Sequence, residues 1–152
     1  MSVLIAAIGS GHGADSLGWE VADRLSRLSL ALPSGGLVDV KKYRHPTAMV
    51  NDLGSYDQVI FLDALVSQRH QYGELIQLPA ADLCAASGTL SSHGTGLNDA
   101  VALARAIQTL PVDSLVVGIN VFPFVDVPVA EDLQRRLGHA VCTQLGAPMI
   151  SL

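Results

Sequence analysis

The segment QVIFLDA at residues 58–64 decides the fold class, because its central VIFL is apolar without a break and an acid follows directly. A short run of this kind fits a strand covered by helices on both faces, as the strands of parallel sheets are. VLIAAI (3–8) has the same character, and GGLVDV (35–40) and SLVVGIN (114–120) are further apolar runs. These segments predict buried strands of a mostly parallel sheet.

Helical patterns alternate with these strands. Apolar residues recur at helical spacing between Leu17 and Leu28, between Leu97 and Ile107 and between Leu133 and Leu145, and TAMVNDL after Pro46 predicts a short helix. GELIQLP (73–79) instead alternates polar and apolar residues, which predicts an edge strand with one wet face, antiparallel to its neighbour. We therefore expect an α/β fold of three α/β/α layers, phosphorylase/hydrolase-like, with a twisted, mostly parallel sheet of about five strands.

Composition limits the classes of partner. The chain has 152 residues, of which 49% are hydrophobic and 15% charged, and this predicts a single domain over residues 1–152. A net charge of −5 argues against nucleic acid and membrane surfaces as partners. The basic cluster KKYRH (41–45) is interpreted as a solvated strand end. No targeting signal or membrane-spanning run is recognised, so a cytoplasmic location is expected.

The candidate site follows from the strand order. In open α/β sheets ligands collect at the carboxyl ends of the strands. Asp15 follows the first strand, Asp63 stands directly behind VIFL, and His93 precedes the helix that begins after Gly96. Two carboxylates and an imidazole suit a divalent metal with an open coordination position, or proton transfer. Cys84 and Cys142 lack the spacing of a cysteine metal site or of a disulfide framework.

Structural alternatives stay open for each of these side chains. Asp15 could cap the following helix, Asp63 could accept hydrogen bonds from the next turn, and His93 could lie in a surface loop. For Asp63 a functional role is as plausible as a structural one, because a carboxylate directly behind four apolar residues risks burial and an isolated buried charge is costly. His12 could be a fourth ligand or an exposed loop residue.

The glycine-rich loop GSGHG suggests a small nucleotide-binding domain as a further alternative. Gly9, Gly11 and Gly13 give G-x-G-x-G rather than the dinucleotide fingerprint G-x-G-x-x-G. Asp39, at the end of the predicted second strand, could take the place of the ribose-binding acid. Asp15, however, would bring negative charge close to a bound pyrophosphate.

Three segments resemble the hydrogenase maturation endopeptidases, which process the large subunit of nickel–iron hydrogenases. IGSGHGADSLGWEV resembles the first loop of that family, with Asp15 three positions before a glycine, Gly18. DQVIFLDALVS resembles its central strand and supplies Asp63, and SSHGTGLNDAVALA resembles its S-x-H-x-x-G-L-x-D segment and supplies His93. SLVVGINV is similar to the strand that follows, and the segments occur in the family's order.

The resemblance implies a twisted five-stranded sheet between helices and an aspartic-type endopeptidase activity. Asp15, Asp63 and His93 would be both the catalytic residues and the metal ligands, and no other cofactor-binding residue is implied. They would recognise nickel already inserted in the precursor, and other divalent metals could occupy the same site. The hydrogenase large-subunit precursor would be the partner, its C-terminal extension would be removed, and the enzyme is expected to be a monomer.

The sequence departs from the family pattern in two places. The first loop is one residue shorter, and Ser10 stands where an asparagine is common. The Asp-Gly-x-Thr-like motif that follows the family's second strand is replaced by VDVKKYRHP, in which Asp39 matches only the acid. The alternatives are a protease for an unusual hydrogenase subunit and a non-proteolytic homologue that binds a maturation intermediate.

Overall fold

The structure is a computed structural model that describes residues 1–28, 30, 32–85, 90–92 and 96–147. The strands are β1 (Ser2–Ile8), β2 (Leu37–Tyr43), β3 (Gln58–Ser67), β4 (Leu75–Pro79), β5 (Leu90–Ser92) and β6 (Asp113–Asn120). The helices are α1 (Leu17–Ser26), α2 (Val50–Leu53), α3 (Ala80–Ala85), α4 (Leu97–Ala106) and α5 (Glu131–Leu145), with short 3-10 helices at Gly13–Ser16 and Pro46–Met49.

Five strands lie side by side in the order β2-β1-β3-β6-β4. The pairs β1–β2, β1–β3 and β3–β6 are parallel, whereas β4 runs antiparallel to β6. The predicted mostly parallel sheet with an antiparallel edge strand is therefore confirmed. The short β5, which pairs with β3 beyond the end of β1, was not predicted.

Helices cover both faces of the sheet. Val3 and Ile5 of β1 pack in one core with α1 and α5, while Leu4 and Ala6 pack in a second core with α2, α3 and α4. Successive side chains of a strand point to opposite faces, so an uninterrupted apolar strand fills both cores at once. The three-layer α/β/α arrangement is thus confirmed. None of the described helices is long and apolar enough to cross a membrane.

The second strand differs from its prediction at both ends. It was placed at residues 35–40 but extends from Leu37 to Tyr43, because its parallel ladder with β1 continues to the pair Ile8 and Tyr43. Lys41 and Lys42 are exposed, as expected, but they lie within the strand and not beyond its end. Asp39 is consequently a mid-strand residue, which corrects its predicted place at the carboxyl end.

Candidate active site

The sheet has an opening where β1 ends. Strand β1 pairs with one side of β3 as far as the pair Ala7 and Leu62. Strand β5 pairs with the same side of β3, but only from Leu65 onward. Asp63 and Ala64 lie between these two ladders. The chain leaves β1 toward β2 through α1 on one face and reaches β3 through α2 on the other. This reversal between β1 and β3 is the place where open α/β sheets bind ligands.

Asp63 occupies this opening as a fully buried residue, with 0% of its surface exposed. It lies within β3 rather than behind it, because β3 continues to Ser67 alongside β5 and β6. The alternation of the strand assigns its side chain to the face of Phe61 and Leu65, which also holds the start of α4. A carboxylate kept at such a position is costly, which favours a functional role for it.

Asp15 reaches the same edge of the sheet from the loop after β1. It lies half-buried in the 3-10 helix Gly13–Ser16. The loop folds back on itself, since the Ser10 N–H donates to the Asp15 carbonyl at 3.1 Å. Gly9 permits this closure, because a Cβ there would collide with that carbonyl oxygen. The N-cap of α1 is Ser16, so the structure does not make Asp15 the N-cap residue of this helix.

Gly18 brings the first turn of α1 onto the ends of the two strands. A Cβ at this position would lie 2.6 Å from the Ile8 carbonyl oxygen and 3.0 Å from that of Leu62. Both oxygens belong to backbone that cannot move away, so only glycine allows this approach. The 3-10 helix that carries Asp15 contacts β3 directly. The structure therefore brings together the elements that carry Asp15 and Asp63.

His93 lies outside the residues that the structure describes, so its predicted place beside the two aspartates stays a prediction. The described chain before it ends at Ser92, which pairs with Leu65 of β3. The described chain after it resumes at Gly96 and enters α4 at the buried Leu97. Within the described ranges, no three His, Cys, Asp or Glu side chains form a group that could hold a metal ion.

A cleft of about 260 Å³ opens beside Asp15, lined by Ser10, His12, Gly13, Asp15, Val125 and Asp126. Val125 and Asp126 were not predicted. They come from the segment after β6, and the same rule of strand carboxyl ends would have found them. The exposed His12 donates its backbone N–H to the Ser10 hydroxyl at 3.4 Å, which agrees with an exposed loop residue; a role as a ligand stays a prediction.

Asn120, at the end of β6, is a third residue that sequence reasoning missed. Its buried side-chain oxygen accepts the backbone N–H groups of Ser67 at 3.0 Å and Phe122 at 3.2 Å. Its Nδ2 donates to the carbonyls of His70 at 2.9 Å and Gln71 at 3.1 Å. One side chain thus joins the carboxyl ends of β3 and β6 to the loop that leads into β4.

Two tyrosine hydroxyl groups donate hydrogen bonds to aspartates on or near β2. The Tyr56 hydroxyl donates to Asp39 at 2.7 Å and the Tyr43 hydroxyl to Asp52 at 2.8 Å. Burial raises the pKa of both tyrosines, and the hydrogen bond to the neighbouring carboxylate raises each further. Asp39, held in mid-strand by Tyr56, does not occupy the carboxyl-end position that the nucleotide-binding alternative needs.

Solved structures share this fold. The hydrogenase maturating endopeptidase HybD from E. coli is 19% identical, with 96% of this chain and 93% of that chain covered and a TM-score of 0.73. A [NiFe] hydrogenase maturation protease HybD from Thermococcus kodakarensis is 16% identical, with coverages of 95% and 99% and a TM-score of 0.74. A hydrogenase 2 maturation peptidase from Thaumarchaeota archaeon SCGC_AB-539-E09 is 28% identical, with coverages of 97% and 100% and a TM-score of 0.60.

Neither a protein-family model nor a curated protein sequence matches the chain. The resemblance to the hydrogenase maturation endopeptidases, which rested on short sequence segments, is confirmed by these structures, which cover nearly all of the chain.

Proposed function

We propose that this protein is an endopeptidase that removes the C-terminal extension of a nickel–iron hydrogenase large-subunit precursor after nickel insertion. The observation that carries the proposal is the placement of Asp15 and Asp63. Both belong to elements that meet where β1 and β3 diverge, within a fold that several hydrogenase maturation proteases share. A generic layered domain has no need of a buried acid there.

The nickel ion enters this proposal as part of the substrate. Carboxylate oxygens and imidazole nitrogen suit such an ion, so Asp15, Asp63 and His93 would hold it. Bound nickel would supply an anchor for the precursor and Lewis-acid polarisation. The protein's own residues would orient the peptide, since Asp15 lines the cleft and the 3-10 helix that carries it contacts β3, the strand of the buried Asp63. Fixed orientation of the scissile bond is itself a large source of rate.

Cleavage of a nickel-loaded precursor, followed by mass spectrometry, tests the proposal. We expect Asp15→Asn and Asp63→Asn each to slow peptide release at least about 100-fold, because displaced reactants lose that much rate. Asp82→Asn is the matched control, since Asp82 is exposed on α3. Release by both site variants at the control's rate would contradict the roles of Asp15 and Asp63, and a precursor left intact by the unsubstituted protein would contradict the endopeptidase assignment.

A non-proteolytic homologue is the second candidate, and the β2 segment favours it. The family's glycine and threonine are absent there, and the one matching acid, Asp39, accepts the Tyr56 hydroxyl in mid-strand. Such a protein would bind the nickel-loaded precursor without shortening it. Co-elution of the intact complex in gel filtration, with no change in the precursor's mass, would select this candidate.

A further inference from the structure

The outer edge of β2 has a row of backbone hydrogen-bonding groups that no strand of the described chain pairs with. Leu37 donates its N–H to Met1 and Tyr43 accepts the Gly9 N–H, both at 3.1 Å, so these residues point toward β1. Backbone groups alternate in direction along a strand, so those of Val38, Val40 and Lys42 point outward. Among the residues that the structure describes, no strand pairs with this side of β2.

The opposite edge of the sheet is protected in a way that β2 is not. Strand β4 has 5 residues and ends in Pro79, whereas β2 has 7 residues and no proline. The Gln144 side chain of α5 also reaches across to Gln77 of β4 at 3.0 Å. Short length, proline and a covering helix are the usual ways to block an edge. By this comparison β2 is the edge that can accept another strand.

Three exposed cations, Lys41, Lys42 and Arg44, lie along this edge, although the chain as a whole carries −5 and Lys42 also pairs with Asp23 at 3.0 Å. Lys42 and Arg44 lie over the Trp19 ring, at 5.4 Å and 5.8 Å from its centroid, and Lys41 lies 5.8 Å from the Tyr56 ring. The rings hold the three exposed cations close to the strand. An acidic segment would therefore be attracted to this edge.

A groove beside the strand offers room for apolar side chains. It measures about 210 Å³ and is lined by Leu25, Ser26, Leu30, Val38, Asp39 and Val40. Val38 and Val40 are only partly covered by α1. In strand addition the main chain supplies hydrogen bonds, and pockets for alternate side chains supply selectivity. The groove is such a pocket on the α1 side of the edge.

We propose that the outer edge of β2 binds an extended acidic peptide segment of a partner protein by strand addition. Its apolar residues would enter the groove at Val38 and Val40, and its acidic residues would pair with Lys41 and Arg44 and would compete with Asp23 for Lys42. This interaction goes beyond the proposed peptidase function and does not depend on it. Edge lysines can also serve only to prevent self-association, and that alternative predicts no binding.

Amide hydrogen exchange of the whole protein, measured by NMR, tests the proposal. The probe is a synthetic peptide that alternates valine and glutamate, at about 1 mM, a concentration that populates even weak complexes. We expect exchange at the outward amides of Val38, Val40 and Lys42 to slow several-fold, while Asp39 and Lys41, already bonded to β1, change little. Unchanged exchange at the outward amides, or equal slowing by a peptide with lysine in place of glutamate, overturns the proposal.

Two variants separate charge from backbone contributions. Arg44→Glu is expected to weaken binding about 10-fold, whereas Arg105→Glu, at an exposed site on α4, leaves it unchanged. Val40→Pro removes an outward N–H at a position where an edge strand tolerates proline, and it should abolish the slowing at Lys42. The amide spectrum of each variant checks its fold. Equal affinities of the Arg44 and Arg105 variants, or full binding by Val40→Pro, would refute strand addition.

Discussion

Strands β3 and β2 lie two positions apart in one sheet, and they differ in whether their polar side chains are buried or exposed. Strand β3 is buried at nearly every residue and still carries Asp63 and Ser67 out of contact with water. Strand β2 alternates between exposed and partly buried residues from Leu37 to Lys41, and its Asp39, Lys41 and Lys42 are all exposed. Both strands have an aspartate, but only the one on β3 has lost its hydration.

This difference separates the functional candidate from the structural one. Water stabilises Asp39 whether or not Tyr56 contacts it, so its presence demands little explanation. Removing Asp63 from water is costly, and the chain retains it at the opening between β1 and β5. Changes near the carboxyl end of β3 should therefore have large effects, and changes on β2 should have small effects that depend on pH or salt.

The largest effect on stability is expected at the carboxyl end of β3. Asn120→Ala would leave the buried N–H of Ser67 without its acceptor and would release the carbonyls of His70 and Gln71. Because each unsatisfied buried group costs about 1–3 kcal/mol, we expect the free energy of unfolding to fall by about 3 kcal/mol. Urea denaturation measures this loss, and Asn51→Ala, at an exposed residue of α2, is the control. A loss below about 1 kcal/mol would show that β3 tolerates unpaired groups as β2 does.

The contrast between the strands also explains how far the sequence could predict the structure. The segments 3–8, 58–64 and 114–120 were recognised because a strand buried on both faces is apolar at most positions rather than at every second one. Strand β4 was recognised because one wet face gives alternation. The far end of β2 was not, since Lys41 and Lys42 join the strand only through the ladder with β1, which sequence pattern does not reveal.

The same reasoning applies to the candidate site. Asp15 and Asp63 could be assigned to one edge because strand order and the carboxyl-end rule are general for α/β folds. Asn120 was missed because its partners, Ser67 and the loop after it, are remote in sequence. Strand β5 has only 3 residues and is defined by its pairing with β3, so no local sequence pattern predicts it.

A smaller, pH-dependent effect is expected at Tyr43, where β2 turns its last side chain into the core. Burial, and then the hydrogen bond to Asp52, raise the pKa of this phenol. A raised pKa means that the folded state favours the protonated phenol. The contribution of this hydroxyl group to folding stability is therefore complete below the pKa of an unfolded tyrosine, about 10, and is lost as pH rises above it. Tyr43→Phe should lower stability by about 1 kcal/mol near neutral pH. Urea titrations at rising pH should show the two proteins converging; a constant difference would contradict the assignment.

The smallest effect is expected for the ion pair between Lys42 and Asp23, whose atoms lie 3.0 Å apart. Both side chains are nearly half exposed, at 44% and 48%, so water already stabilises each charge. A double-mutant cycle with Lys42→Ala and Asp23→Ala should give a coupling of about 0.5 kcal/mol, the usual value for exposed pairs. High salt should remove it, because screening acts fully on exposed charges. A coupling that survives high salt would mean that the edge of β2 is shielded from solvent, and its cations would then be unavailable to an acidic peptide.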